Sequence, residues 1–111
     1  MFFAQIRVPR KRVREKFLLI YELQGAQKAM NYLTRFYGVR GMKIELNGKK
    51  VGKNCVAYYF ENKATFKKEG LNRKTVLHEL YHHLVASKGF QKTERVEEKE
   101  SNFYSRTFLK S

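Results

Sequence analysis

The most constraining feature of the chain is the stretch from His78 to His82, which reads H-E-x-x-H. It lies in a segment of helical character that Asn72 can cap and Gly89 can end. Residues four apart share one face of a helix, so His78 and His82 can direct two imidazole nitrogens at one metal ion. The sequence therefore predicts a helix over residues 74–88 that carries two metal ligands.

Glu79 lies about 100° around that helix from His78, so its carboxylate can approach the same ion without ligating it. Two imidazoles and an adjacent carboxylate on one helical turn are typical of zinc hydrolases, in which the glutamate is the general base. The alternative is a helix that carries histidines by chance, one of them buried and the other solvated. A third ligand further along the chain would discriminate between the two.

The composition predicts one folded domain over residues 1–111. The chain has nine Phe and seven Tyr, which favours a packed core over disorder. All ten acidic residues are Glu, and the absence of Asp excludes a Ser-His-Asp triad. The single cysteine, Cys55, excludes an internal disulfide and a cysteine-rich zinc finger, and it fits a reducing compartment.

The net charge of +14 permits contact with nucleic acid, an anionic membrane or an acidic protein. Its densest cluster runs from Arg10 to Lys16, where the solvated start of a helix is the simpler interpretation. Residues 1–12 are predicted to hold a strand, Phe2 to Val8, followed by this basic segment. The longest apolar run, Phe17 to Tyr21, is too short to span a bilayer, and the first residues lack a signal-peptide pattern. A cytoplasmic protein is expected.

The apolar residues from Val13 to Phe36 recur at helical spacing. Gly25 interrupts the pattern, so the segment is either one helix with a weak point or two helices, and Gly38 can end it. A strand over Phe17 to Leu23 is the competing interpretation.

A β region is predicted next, with strands over Met42 to Leu46, Val56 to Phe60 and Ala64 to Lys67. Asn47-Gly48 is the strongest turn signal in the chain. We expect a small, mostly antiparallel sheet, one edge of which could pair with an extended peptide. With a final helix over residues 94–109 that Thr93 can cap, the predicted fold class is α+β.

The third ligand must be a carboxylate, because the three histidines are His78, His82 and His83, and none follows them. The candidates are Glu94, Glu97, Glu98 and Glu100. Glu98 is favoured because Asn102 lies four residues later on the same face and can accept a hydrogen bond from the far N–H of a ligating imidazole. Glu97, with Ser101 as its partner, is the alternative.

H-E-x-x-H followed by Glu98, Ser101, Asn102 and Tyr104 at this spacing resembles the gluzincin metallopeptidases. The single-domain minigluzincins are the nearest in size and layout. The catalytic domains of CAAX prenyl endopeptidases, of β-lactam-sensor transducers and of ImmA/IrrE-type peptidases are similar. The resemblance covers His78 to His82 and Glu98 to Tyr104, and elsewhere only the order of elements.

The resemblance implies a minimal zincin fold in which His78, His82 and Glu98 hold one catalytic Zn²⁺ and Glu79 is the base. The implied activity is that of an endopeptidase acting on peptide or protein substrates. Asn102 stands where many members have Asp, which makes a different zinc basicity an expectation. His83, Tyr104 and Arg106 are nominated as oxyanion donors or substrate contacts, although a packing role is the simpler interpretation for His83.

Three further hypotheses accompany the prediction of a zinc endopeptidase. The isolated chain could be latent, like a zymogen, with a terminal segment over its cleft. The last helix, hinged near Gly89, could exchange between two copies and give a homodimer. Alternatively, the chain is a basic module associated with nucleic acid, in which the zinc site is structural or directs proteolysis to DNA-bound proteins.

Overall fold

The fold is described from a computed structural model over residues 6–49 and 51–110. It has four α-helices and a three-stranded sheet, which confirms the α+β class. In chain order the elements are α1 Lys11–Gln24, α2 Ala26–Tyr37, β1 Lys43–Leu46, β2 Ala57–Phe60, β3 Lys63–Phe66, a 3₁₀ turn Lys68–Gly70, α3 Arg73–Lys88 and α4 Glu94–Leu109.

The N-terminal helical segment consists of two helices that meet at Gly25. This residue has φ 93°, a backbone conformation that side-chain-bearing residues rarely adopt. Its N–H still donates to the Tyr21 carbonyl at 3.0 Å, so α1 ends there and α2 starts in a new direction. No strand forms over Phe17 to Leu23, and Gly38, at φ 69°, ends α2.

The strand predicted over Phe2 to Val8 falls mainly on residues 1–5, which lie outside the described residues. Residues 6–10 form no strand and lead directly into α1. Ile6 is nevertheless buried in the core. Within the basic segment, Arg10, Lys11 and Arg12 are exposed at the start of α1.

The sheet is mixed, so the prediction of a mostly antiparallel sheet was wrong. The strand order is β1-β3-β2, with β1 parallel to β3 and β2 antiparallel to β3. The tight hairpin forms at Glu61-Asn62, where both residues have positive φ, as a two-residue turn requires. The connection from β1 to β2, of which residues 47–49 and 51–56 are described, is longer. It joins strands that are not neighbours, because β3 lies between β1 and β2.

The core lies where the sheet, the N-terminal helices and the C-terminal helices meet. Its largest fully buried side chains include Phe17, Met30, Leu33, Phe66, Leu77, Leu80, Tyr81, Leu84, Tyr104 and Phe108. The rings of Phe17 and Phe108 meet edge to face with centroids 5.1 Å apart, which holds α4 against α1. Burial of such aromatic side chains is the main source of stabilisation in a domain of this size.

A buried polar contact sets the position of α4 relative to α3. The Lys92 ammonium lies 2.8 Å from Oε1 of Glu100, and both side chains are almost entirely buried. The Tyr81 hydroxyl donates to the same carboxylate oxygen at 2.8 Å. Since Lys92 precedes α4, Glu100 lies in α4 and Tyr81 lies in α3, the contact joins both helices and their connection.

Among the described residues, no helix is both long and apolar enough to cross a membrane.

Candidate metal centre

Helix α3 presents the two motif histidines on the face that borders a cleft. Asn72 caps the helix, because its side-chain oxygen accepts the Thr75 N–H at 2.9 Å. Gly89, with φ 70°, ends it. Leu77, Leu80 and Leu84 are fully buried at helical spacing, which turns His78 and His82 away from the core and toward α4.

The inner nitrogens of the two histidines converge. Nε2 of His78 and Nε2 of His82 are 3.2 Å apart. The Glu98 carboxylate reaches both, with oxygens 3.2 Å from the His78 nitrogen and 2.8 Å from the His82 nitrogen. A tetrahedral Zn²⁺ with bonds of about 2.0–2.1 Å separates its ligand atoms by about 3.3 Å. The donor set and its spacing therefore fit a zinc ion held by His78, His82 and Glu98.

The outer nitrogens of both rings also have partners, and both partners lie on α4. Nδ1 of His78 lies 3.0 Å from the Asn102 side-chain oxygen, and Nδ1 of His82 forms a short contact with the Glu97 carboxylate. If each Nδ1–H donates outward, each Nε2 keeps its lone pair for the metal. The structure thus brings Asn102 to the place that its spacing predicts.

Glu97 has a position that the sequence argument did not foresee. It was weighed only as an alternative ligand, whereas here it contacts the outer nitrogen of His82. Ser101, its expected partner, donates to the Glu97 backbone carbonyl at 2.8 Å and lies 3.5 Å from Nε2 of His82. The sequence feature that could have predicted this position is that Glu97 and Glu98 are adjacent on α4. One of them can therefore face the inner nitrogens while the other faces an outer nitrogen.

Glu79 is buried beside the histidines and does not point to solvent. Its side chain is 6% exposed, and its Oε2 lies 3.9 Å from Nε2 of His78. One donor atom from each of His78, Glu79 and His82 lies within 4.8 Å of the others, so Glu79 is also close enough to be considered as a ligand. The Glu98 oxygens approach the two imidazoles more closely than Glu79 does, and the Glu79 carboxylate lies to one side of the point where the inner nitrogens converge.

Burial also affects the ionisation of this group. Desolvation raises the pKa of Glu79 to about 7, although the nearby His82 opposes the shift. Desolvation lowers the pKa of His78, an effect that the nearby Glu98 partly offsets. Both shifts follow from the cost of holding a charge away from water, and the second favours the neutral imidazole that a metal requires.

A cleft of about 910 Å³ contains these groups. One wall is α3 with α4, and the other is the edge strand β2 together with the residues before it. Residues 54–59 line this second wall, including Tyr58 and Tyr59. Among the strands of the described residues, β2 lies at an edge of the sheet, because it pairs there with β3 alone.

The three nominated oxyanion donors do not line this cleft. His83 is fully buried, its Nε2–H donates to the Arg40 carbonyl at 2.6 Å, and its Nδ1 accepts from the Tyr59 hydroxyl at 2.8 Å. Burial lowers its pKa, which favours this neutral form. One ring nitrogen thus joins α3 to β2, and the other joins it to the loop between α2 and β1.

Tyr104 is likewise buried, and its hydroxyl pairs with that of Tyr37 at 2.8 Å. Arg106 is exposed, and its Nε donates to the Asn102 carbonyl at 3.3 Å. Of the other carboxylates considered as ligands, Glu94 borders the cleft, whereas Glu100 is held in the buried contact with Lys92.

Comparison of the chain with protein-family models, with curated proteins and with solved structures gave no match. The case for any activity therefore rests on the residues of the cleft.

Proposed function

We propose that the protein is a zinc-dependent endopeptidase of the gluzincin type, built on a minimal zincin fold. The observation that carries the proposal is the convergence of two imidazole nitrogens and the Glu98 carboxylate at tetrahedral spacing, with buried Glu79 beside them. A structural zinc site has no need of an additional buried carboxylate, whereas a hydrolytic one needs a base next to the metal.

His78, His82 and Glu98 would hold the ion, and Asn102 and Glu97 would orient the two imidazoles. When bound, the ion supplies Lewis-acid chemistry, polarising the scissile carbonyl and making water more acidic. The two outer hydrogen bonds raise the basicity of the ligating nitrogens and keep the rings from turning.

Glu79 acts as the proton carrier in this proposal. It takes a proton from the attacking water as the water oxygen adds to the carbonyl carbon. It then delivers that proton to the amine nitrogen as the C–N bond breaks. The burial of Glu79 keeps its carboxylate away from bulk water, so that the transferred proton can stay on it between the two steps.

The substrate would lie along β2. An extended peptide can add to an exposed sheet edge through backbone hydrogen bonds, and β2 is an edge strand that lines the same cleft as the histidines. This arrangement supports cleavage within unstructured segments, since a folded substrate does not present an extended backbone.

The test compares the wild type with Glu79→Gln and with Glu22→Gln, a matched change on the exposed surface of α1. Bound zinc is measured by elemental analysis, and proteolysis is followed on an unstructured protein such as casein. We expect all three proteins to bind one zinc ion and Glu79→Gln alone to lose hydrolysis. A Glu79→Gln protein that keeps its activity, or a zinc-loaded wild type that never cleaves, would contradict the proposal.

A further inference from the structure

A second cavity adjoins the cleft at its His78 end. It measures about 570 Å³ and is lined by Lys74, Lys99, Asn102, Phe103 and Arg106. Lys74 and Asn102 also line the first cleft, so the two cavities are adjacent. Asn102 is the residue that contacts Nδ1 of His78, which places this cation-lined pocket next to the proposed metal ligands.

The pocket arises from the spacing of residues on two helices. Lys99, Phe103 and Arg106 follow one another at intervals of four and three along α4, so they share one face. Lys74 lies in the first turn of α3, four residues before His78, which is a rise of about 6 Å along the helix. In the proposed function, a peptide that runs along α3 would advance about 3.3 Å per residue, which would put the pocket one or two residues from the scissile bond.

Among the described residues, no carboxylate lines the pocket to offset its positive charge. The lining contains three cations. Within residues 6–49 and 51–110, Lys74, Lys99 and Arg106 form no ion pair, whereas Lys63 and Lys92 pair with Glu45 and Glu100. The first turn of α3 contains no acidic residue either, so the positive end of its helix dipole adds to the field of the three cations.

The opposite end of the cleft has the other sign of charge. Glu94 and Glu97 line it near His82, and the cation there, Lys92, is already paired with Glu100. A bound peptide would therefore experience a positive field on the Lys74 side of the metal position and a negative field on the other side. Such a gradient selects both the sequence of a peptide and the direction in which it binds.

We propose that the pocket binds a carboxylate of the substrate, one or two residues from the scissile bond. This inference rests on the proposed function and adds a substrate class to it. The carboxylate can belong to an acidic side chain or to the end of a peptide chain, because Arg and Lys bind both through charge-assisted hydrogen bonds. Phe103 contributes an aromatic ring to the lining of the pocket.

The test measures binding separately from hydrolysis. Fluorescent peptides of one sequence carry Glu, Gln or Lys at each of the two positions on either side of the scissile bond. A second set ends in a free carboxylate or an amide at the same distances. Their affinity for zinc-loaded Glu79→Gln protein is measured by anisotropy at low and high salt.

At low salt we expect the best Glu or free-carboxylate peptide to bind about 10-fold more tightly than its Gln or amide counterpart, which is the scale of one charge-assisted contact. High salt should reduce that ratio. Preference within the first set identifies a side-chain carboxylate, and preference within the second set identifies a chain end. Equal affinity across both sets, or no binding of any acidic peptide, overturns the inference.

The variant Lys74→Gln/Lys99→Gln/Arg106→Gln removes the three cations, all of which are exposed. Its matched control, Lys11→Gln/Arg12→Gln/Lys28→Gln, removes the same charge from exposed positions on α1 and α2. The pocket variant should bring the Glu-to-Gln ratio close to one, and the control should preserve it. If both variants lower the ratio equally, the preference reflects net charge and the pocket is not its cause.

Hydrolysis by the wild type separates the two proposals. Cleavage of Glu and Gln peptides with equal kcat/KM, together with equal binding, would reject the pocket and leave the peptidase proposal standing. Selective binding of acidic peptides without any cleavage by the zinc-loaded wild type would reject the peptidase proposal and retain a carboxylate-binding pocket.

Discussion

The two motif histidines are alike in position and exposure, but their outer nitrogens have different partners. They lie one turn apart on α3, their inner nitrogens converge, and their side chains are almost equally exposed, 17% for His78 and 15% for His82. The difference is the outer partner, which is the Asn102 amide for His78 and the Glu97 carboxylate for His82. A carboxylate draws the ring proton more strongly than an amide does, so in the proposed site His82 should bind the metal more tightly than His78.

Both outer partners lie on α4. The orientation of α4 about its own axis therefore determines which partner each histidine has, and the spacing of the motif does not. Glu97, Glu98 and Asn102 approach the histidines from the same helix, at three different angles around its axis. The Glu98 carboxylate contacts the inner nitrogens of both imidazoles. Glu97 and Asn102 each contact the outer nitrogen of one imidazole. Substitutions on α4 can therefore disturb the two histidines together or separately.

The largest effect is expected from Glu98→Ala, which removes the group shared by both histidines. Zinc affinity should fall by more than the 10- to 100-fold that the loss of an outer partner costs. The measurement is competition with a chromophoric chelator. If Glu98→Ala keeps wild-type affinity while Glu97→Ala loses zinc, the two glutamates have the opposite roles.

Glu97→Gln should affect His82 alone. The neutral amide keeps the size of the side chain but weakens the hold on the imidazole proton, and we expect zinc to bind about 10- to 100-fold more weakly. Glu94→Gln is the control, since Glu94 lines the same cleft and carries the same charge. Equal losses in the two variants would assign the effect to the overall field of the cleft.

Asn102→Asp should have the smallest effect and the opposite sign, because it gives His78 the same kind of partner that His82 already has. Zinc affinity should rise by up to about 10-fold. Asn102→Ala, which removes the partner, should lower it. If Asp and Ala both weaken binding, the Asn102 side chain does not accept the hydrogen bond of His78 in the loaded protein.

The ends of the helices could be predicted from the sequence, because they depend on interactions between residues close together in the chain. Asn72, Gly89 and Thr93 mark the ends of α3 and the start of α4, because caps depend on residues within one turn. The approach of Glu98 and Asn102 to the histidines agrees with helical spacing and with the gluzincin resemblance. The strand order was not accessible in this way, since the turn signal at Asn47-Gly48 does not reveal that β3 will separate β1 from β2.

The other differences between the sequence predictions and the structure concern the direction in which a side chain points around the axis of its helix. His83 follows a proposed ligand directly, but one residue further around α3 places it against Tyr59 and Arg40 in the interior. The sequence nominates Tyr104 as an oxyanion donor or substrate contact, whereas packing turns its hydroxyl toward that of Tyr37. Glu97 and Glu98 are adjacent in sequence, and only the docking of α4 on α3 determines which of them meets the inner nitrogens.

The contact of Lys92 and Tyr81 with Glu100 affects how quickly α4 could undock from the rest of its own chain. A homodimer formed by exchange of this helix remains a hypothesis, and Gly89 would have to serve as its hinge. Before the helix could swing, it would have to expose a buried carboxylate and withdraw Tyr104 and Phe108 from the core. Monomer and dimer would then interconvert at the rate of partial unfolding, so each form, once made, would persist for a long time at ordinary temperature.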